Sequence, residues 1–166
     1  MTGLRGRLFA IALGGLLVVT AACGGSDKKA ATTTTAPPTT LSEQQNKDQI
    51  AKVFTDFFNG ANPDLDAKLQ LLDNPEKYKA LYTKFATGAT TGPQLKSTSA
   101  TVTKVDLKGD GTAEVTYTLN LNNTPTLMDQ LGKAVQVNGV WKVSGTTFCD
   151  LASLGDPSVN QDPACA

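Results

Sequence analysis

The sequence predicts an α+β domain in which N-terminal helices pack on one face of a curved antiparallel sheet of about four strands, with a short helix at the C-terminal end. Two spacings of apolar residues, first a helical one and then a strand-like one, indicate this fold class. Before residue 97 apolar residues recur at helical spacing, and from residue 97 they recur at alternate positions, as in half-buried strands. Helices that precede the strands, instead of alternating with them, favour an α+β arrangement.

The chain is long enough for one such domain with appended segments. It has 166 residues, of which 40% are hydrophobic and 18% are charged. Lys and Arg together number 15, as do Asp and Glu, and no basic run is longer than Lys28-Lys29. We expect no nucleic-acid partner, because neutralising phosphates requires a clustered basic face.

Residues 1–22 are predicted to be a lipoprotein signal peptide. Two arginines precede an apolar run over residues 8–19, which is too short to span a bilayer, and Thr20-Ala21-Ala22 supply the small residues of a cleavage site. Together with Cys23 these three residues resemble a bacterial lipobox. Cys23 is therefore the predicted lipidation site, which would hold the protein on the outer face of the cell membrane. The alternative is an ordinary secretory signal followed by an incidental cysteine.

Residues 23–42 are predicted to form the lipidated cysteine and a disordered tether. Beyond Cys23 the segment contains one large apolar residue among Gly, Thr, Ala, Pro, Ser and charged residues. Such a composition cannot bury enough surface to offset the entropy lost on ordering. Its threonine run also resembles O-glycosylated stalks, although a plain spacer is the simpler interpretation.

Three helices are predicted before the strands. Ser42 begins a capping-box pattern, and an apolar stripe follows it at Ile50, Val53, Phe54 and Phe57. A short second helix is expected after Asp64. Asn74-Pro75 has the pattern of an N-cap residue followed by Pro at the first helical position, and Gly88 is expected to end this third helix.

The first predicted hairpin contains the clearest strand. Apolar and polar side chains alternate throughout residues 112–121, which is typical of a strand with one buried face. Residues 99–107 are expected to pair with it across a Gly-rich turn at residues 108–111. The alternation slips between Val102 and Val105, which indicates a bulge.

A second hairpin and a last helical turn are predicted after it. Asn138-Gly139 lies between residues 134–137 and residues 140–144, and this dipeptide between apolar runs favours a two-residue turn. Thr147 is expected to cap a final helical turn that ends at Gly155.

The three cysteines are interpreted as one lipidation site and one disulfide. If Cys23 is acylated, Cys149 and Cys165 remain, and an exported chain normally pairs its thiols. This disulfide would pin a polar tail, residues 156–166, against the last helical turn. We expect no metal or other cofactor, because the sequence has no histidine and two thiolates leave a tetrahedral zinc site incomplete.

A family resemblance follows from the order of the elements and four segments. The segments are DFFNG at 56–60, KLQLLDN at 68–74, the paired strands at 100–121 and the hairpin beginning NGVWKV at 138–154. Together they resemble the mycobacterial secreted low-molecular-weight antigen family over roughly residues 43–155. That family looks like a divergent branch of the nuclear-transport-factor-two-like cone fold. The resemblance implies an actinobacterial exported domain with no established catalysis.

Cone folds hold a pocket between sheet and helices, so the resemblance implies that some residues of this chain line such a pocket. The candidates are aromatic, although their positions on apolar stripes favour a packed core: Tyr78, Tyr82, Tyr117 and Trp141. An enzyme without histidine would need a carboxylate with a raised pKa. Asp56 is expected on the solvent side of its helix instead.

Three functions remain open, and we favour a lipid-tethered, non-catalytic binding or accessory domain. Its partner would be an envelope lipid, a small apolar ligand or an envelope protein. The second function is that of an antigen-like surface protein that acts only through protein contacts, and the third is a carboxylate-dependent enzyme. An open apolar cavity favours the first, a packed interior the second, and a carboxylate inside the cavity the third.

Overall fold

The computed structural model of the chain describes residues 41–166. The predicted signal peptide, Cys23 and all of the predicted tether except residues 41 and 42 lie outside the described residues. The described chain runs from helices to strands to a C-terminal helix, through α1 (Glu43–Phe57), α2 (Leu65–Leu69), α3 (Pro75–Thr87), α4 (Thr91–Lys96), β1 (Thr98–Leu107), β2 (Thr112–Leu121), β3 (Thr124–Val137), β4 (Val140–Val143), α5 (Gly145–Gly155) and a 3₁₀ helix (Pro157–Gln161). The α+β class is confirmed.

The first three helices begin at the predicted caps. The Ser42 side chain accepts a hydrogen bond from the Gln45 N–H at 3.2 Å, while the Gln45 side chain accepts one from the Ser42 N–H at 2.8 Å. The carboxylate of Asp64 and the side-chain oxygen of Asn74 cap α2 and α3. These bonds satisfy N–H groups that a helix leaves without partners. The short α4, which the sequence analysis did not predict, follows the Gly88 cap of α3.

The four strands form one antiparallel sheet in the order β1-β2-β3-β4. Both predicted hairpins are present, and Gln136 pairs with Trp141 across the second turn. The register of β1 against β2 shifts between Val102 and Lys104, where the broken alternation predicts a bulge. A bulge bends the strand and increases its twist, which helps the sheet to curl around the helices.

β3 is longer than the sequence predicts. Only residues 134–137 read as a strand, whereas β3 begins at Thr124. A two-residue turn joins it to β2, with positive φ angles of 51° at Asn122 and 62° at Asn123, which asparagine tolerates better than most residues. The alternation is hidden because Asp129, at φ 52°, lies where the register against β2 shifts.

The C-terminal region corrects two expectations. α5 begins at Gly145 with Ser144 as its cap, one turn earlier than predicted. The hydroxyl of Thr147 instead accepts a hydrogen bond from the Lys133 N–H on β3 at 2.7 Å. The tail is also more than a polar extension, because it contains the 3₁₀ helix and buries Val159 almost completely.

The cysteine pair holds this tail against α5. Cys149 and Cys165 lie at disulfide distance, with their Cα atoms 5.6 Å apart. Ala164, next to Cys165, is buried as well. The C-terminal segment therefore has apolar contacts of its own in addition to the cysteine pair.

The core lies between α1, α3, α5 and the concave face of the sheet. The aromatic rings of Phe58 and Tyr117 stack with their centroids 5.3 Å apart, and Phe54 packs on Tyr117 at 5.4 Å. Gly132 on β3 leaves room for these rings, since a Cβ atom there would lie 2.9 Å from side-chain carbons of Phe54, Tyr117 and Thr147. At the other end of the core Phe148 contacts the rings of the α3 aromatic residues.

Candidate functional site

An apolar cavity of about 380 Å³ lies between the sheet and the helices. Its volume falls within the range of about 300–1,000 Å³ that is usual for small-molecule sites. Its walls are mostly aromatic and aliphatic and come from α1, α3, α5 and the ends of β2 and β3; the main apolar lining residues are Phe57, Phe58, Tyr82, Phe85, Leu119, Leu121, Leu127, Phe148, Leu151 and Ala152. We refer to this space as the apolar cavity.

The local folding of each element explains why these side chains meet. Tyr82 and Phe85 are three residues apart on α3, as Phe148 and Leu151 are on α5, so each pair faces the same side of its helix. On the sheet, register shifts on both sides of Leu119 bend β2 and β3 near the end of the hairpin. The bent end of the sheet forms the wall opposite the helices.

The apolar cavity opens to the surface at one side. Four of its lining residues are exposed: Gln94 of α4, Thr126 of β3, and Leu154 and Gly155 of α5. Leu154 keeps 63% of its surface exposed, which is high for a leucine. A ligand therefore has a route of entry between α4, α5 and the β2–β3 turn.

Lys68 is the only charged residue among the described residues that line the apolar cavity. It lies on α2 and keeps only 7% of its surface exposed. Within residues 41–166 its ammonium group forms no ion pair with another side chain, and its nitrogen keeps contact with solvent, since no buried side-chain nitrogen of this region lacks a partner. Burial lowers the pKa of Lys68 below its usual value, because removing water disfavours the charged form.

The four aromatic residues suggested by the sequence are not brought together. Tyr82 lines the apolar cavity, and burial raises its pKa to about 12. Tyr78 and Tyr117 are buried in the core and do not line the cavity, although each packs against a ring that does, Phe148 and Phe58 respectively. Trp141 borders a separate depression beside α1, where its indole N–H donates to the Asn46 side chain at 2.8 Å.

No Asp or Glu lines the apolar cavity in the described structure. Asp56 pairs with Lys52 at 2.7 Å on the surface of α1. Asp64 caps α2, and the Asp73 carboxylate accepts a hydrogen bond from the Gly145 N–H at 3.1 Å. Among residues 41–166 no three His, Cys, Asp or Glu side chains are grouped closely enough to hold a metal ion.

Sequence reasoning missed Lys68 and most of the cavity lining. Leu119, Leu127 and Leu151 read as ordinary apolar positions of strands and a helix, and nothing local distinguishes a cavity wall from a packed core. Lys68 precedes the apolar Leu69 in a short helix, and the sequence pattern does not determine which face of this helix is buried. The place of Lys68 in the cavity wall depends on how α2 packs against α3.

The fold and the cavity together define a small α+β domain in which helices and a curled sheet enclose an apolar site. The family described as low molecular weight antigen MTB12, C-terminal domain, matches residues 43–158. The chain belongs to this family. Membership supports a secreted, antigen-like protein outside the cytoplasm.

No curated protein matches the chain. Within residues 41–166 no helix has the length and apolar character needed to cross a membrane.

Proposed function

We propose that the protein is an exported, lipid-anchored envelope protein whose domain binds an apolar ligand without catalysing a reaction. The observation that carries this proposal is the open apolar cavity of about 380 Å³. A packed interior would instead favour a protein that acts only through surface contacts. The ligand would be a small apolar molecule or the acyl chain of an envelope lipid.

The character of the cavity wall supports binding by burial of apolar surface. Each methylene group removed from water contributes about 0.8 kcal/mol, so affinity should rise up to about fourfold per added methylene until the cavity is filled. The carboxylates of the described domain lie outside the cavity lining, and Asp56, Asp64 and Asp73 have structural partners. This arrangement supports a binding role over acid–base catalysis.

Binding is tested with the Cys23→Ser variant of the whole chain, which cannot be acylated. Native mass spectrometry should find a co-purified lipid, or titration with alcohols of increasing chain length should give increasing affinity. Ala152→Phe places a ring in the cavity and should abolish binding, whereas Leu131→Phe changes an exposed residue of β3 and should not. If alcohols of all lengths fail to bind the folded protein, the cavity is not a ligand site.

The lipid anchor is tested separately. The apolar run before Cys23 is too short to span a bilayer, so membrane retention would depend on acylation of Cys23. Wild-type cells fed radiolabelled palmitate should label the protein, and Cys23→Ser should release it or block its processing. A wild-type protein that stays unlabelled and partitions into water would remove the anchor from the proposal.

Protein contacts are the second candidate function, and exposed apolar side chains favour it. Met128 and Leu131 on β3 keep 68% and 75% of their surface exposed, and Val140 keeps 55%. Apolar residues this exposed often mark interaction surfaces when they are contiguous. Substituting Met128 and Leu131 by Gln should weaken such contacts and leave ligand binding unchanged.

A further inference from the structure

The position of Lys68 is fixed by contacts on both sides of α2. The Asp64 carboxylate accepts a hydrogen bond from the Ala67 N–H at 2.9 Å at the start of the helix. After the helix, the Val143 N–H of β4 donates to the Leu71 carbonyl at 2.8 Å. Leu69, the next residue, is 2% exposed and anchors the same segment in the core. Lys68 therefore has a fixed position in the wall of the apolar cavity.

This wall contains a cation without a counter-ion. Apart from Lys68, the polar lining residues are neutral: Thr91, Gln94, Thr98, Asn120 and Thr126. An ammonium group that is partly removed from water is stabilised by an anion or hydrogen-bond acceptor that replaces the lost hydration. The wall thus places the Lys68 ammonium, which has no ion-pair partner in the described structure and keeps solvent contact at its nitrogen, beside a large apolar surface.

We propose that the apolar cavity binds a single-chain amphiphile with a carboxylate head group, whose chain lies among the aromatic and leucine side chains and whose carboxylate pairs with Lys68. This inference rests on the proposed binding function and specifies its ligand class. The charge of Lys68 and the apolar walls complement the two ends of such a molecule. A neutral lipid would fill the walls but leave the ammonium unpaired.

The surrounding residues favour a carboxylate over a phosphate. Phosphate sites usually combine several donors, often the planar fork of Arg or a helix N-terminus. The sequence has Arg only at positions 5 and 7, so the described domain has none. Lys68 is the one cation of the lining, which suits a head group with a single negative charge.

The lowered pKa of Lys68 gives a second signature. Burial shifts the Lys68 pKa downward in the free protein. A bound carboxylate would favour the charged form and raise this pKa again. Binding of a carboxylate should therefore weaken as the pH rises through the titration of Lys68, while binding of an alcohol of the same chain length should not.

The test compares dodecanoate, dodecanol and dodecyl phosphate on the Cys23→Ser protein, each below its critical micelle concentration. We expect dodecanoate to bind roughly tenfold more tightly than dodecanol at neutral pH, as for one charge-assisted hydrogen bond. Lys68→Met should remove this preference and keep dodecanol binding, and Lys68→Arg should keep part of the preference. Lys96→Met, which changes an exposed lysine outside the lining, is the matched control and should have no effect.

The outcomes separate this inference from the proposed function. Equal binding of dodecanoate and dodecanol to the Cys23→Ser protein, in which Lys68 is unchanged, would overturn the head-group assignment and leave the apolar site in place. Tighter binding of dodecyl phosphate than dodecanoate would overturn the choice of carboxylate. If none of the three binds, both proposals fail. Circular dichroism of Lys68→Met establishes that a loss of preference is not a loss of fold.

Discussion

Gly132 occupies the point on β3 where three buried side chains converge. A Cβ atom there would lie 2.9 Å from carbons of Phe54, Tyr117 and Thr147, which is closer than real Cβ contacts. These neighbours belong to three different elements, α1, β2 and α5. Relieving the clash would therefore require side chains of all three elements to shift. The residue is required for its small size and not for an unusual backbone angle.

Gly132→Ala should therefore destabilise the domain by about 1–3 kcal/mol, the usual cost of overpacking a core. Urea denaturation followed by tryptophan fluorescence measures the change. Gly155→Ala is the control, because nothing lies within 4 Å of its added Cβ atom. A Gly132→Ala protein as stable as wild type would mean that the core yields more easily than its packing indicates.

At the scale of elements, a single side-chain hydrogen bond joins the first helix to the last strand. The Trp141 indole N–H donates to the Asn46 side-chain oxygen at 2.8 Å, across 95 positions of sequence. The Asn46 amide also donates to the carbonyls of Leu41 and Ser42. Asn46 thus ties both the start of α1 and β4 to one point.

Asn46→Leu should cost about 1–3 kcal/mol, because it leaves the half-buried indole N–H without its acceptor. The measurement is chemical denaturation, with Trp141→Phe and the double variant completing a double-mutant cycle. The two changes should be less costly together than the sum of the single ones. Strict additivity would show that the hydrogen bond contributes nothing to stability.

The cysteine pair links α5 to the C-terminal segment over a sequence separation of 16 residues. Closing a loop of this length should stabilise the fold by roughly 3 kcal/mol through restriction of the unfolded chain. We expect the Cys149→Ala, Cys165→Ala double variant to lose about this much and to lose hydrogen-exchange protection at Val159 first. Intact-mass analysis after alkylation, with and without reductant, establishes the pairing in the wild-type protein. Two free thiols in the unreduced exported protein would contradict it.

The elements differ in how well the sequence predicts them, and the reason is local. Ser42, Asn74-Pro75 and Asn138-Gly139 carry their own structural signal, since each satisfies a cap or turn by its own chemistry. The part of β3 before Ala134 carries none, because Pro125 and Gly132 are poor strand residues and the bulge at Asp129 breaks the alternation. Pairing with β2 overrides these local preferences.

At the scale of the whole molecule, buried tyrosines limit stability at high pH. Burial raises the pKa of Tyr82 and Tyr117 to about 12, from an ordinary value of 10.0. Between these values the unfolded chain loses the phenolic protons while the folded domain keeps them, so stability falls as the pH rises. The contribution of each tyrosine is complete below pH 10.0 and is lost through about pH 12.

We expect each of the two tyrosines to remove roughly 2–3 kcal/mol of stability by the upper end of that range. Denaturation midpoints measured from neutral to strongly alkaline pH give the curve. Tyr117→Phe should flatten it relative to wild type. Lys68 acts in the opposite direction, because its lowered pKa makes the folded state lose a proton first. A pH profile unaffected by Tyr117→Phe would refute the assignment.

The cavity is a property of the whole molecule, and for that reason the sequence predicts it only in outline. The cone resemblance implies a pocket, yet Tyr78, Tyr117 and Trp141 fall outside the lining of the apolar cavity. Whether an aromatic ring packs in the core or lines the apolar cavity depends on the curl of the sheet and the placement of α4. Both are set by contacts between distant segments.

Helix α5 serves two purposes at once. Leu151 and Ala152 line the cavity, and Cys149, on the preceding turn, holds the C-terminal segment. Thiols pair where the surroundings are oxidising, so in an exported chain this wall would take its final form after translocation. Such a protein would bind its ligand outside the cytoplasm. The acyl chains available to it would therefore be those on the outer side of the membrane.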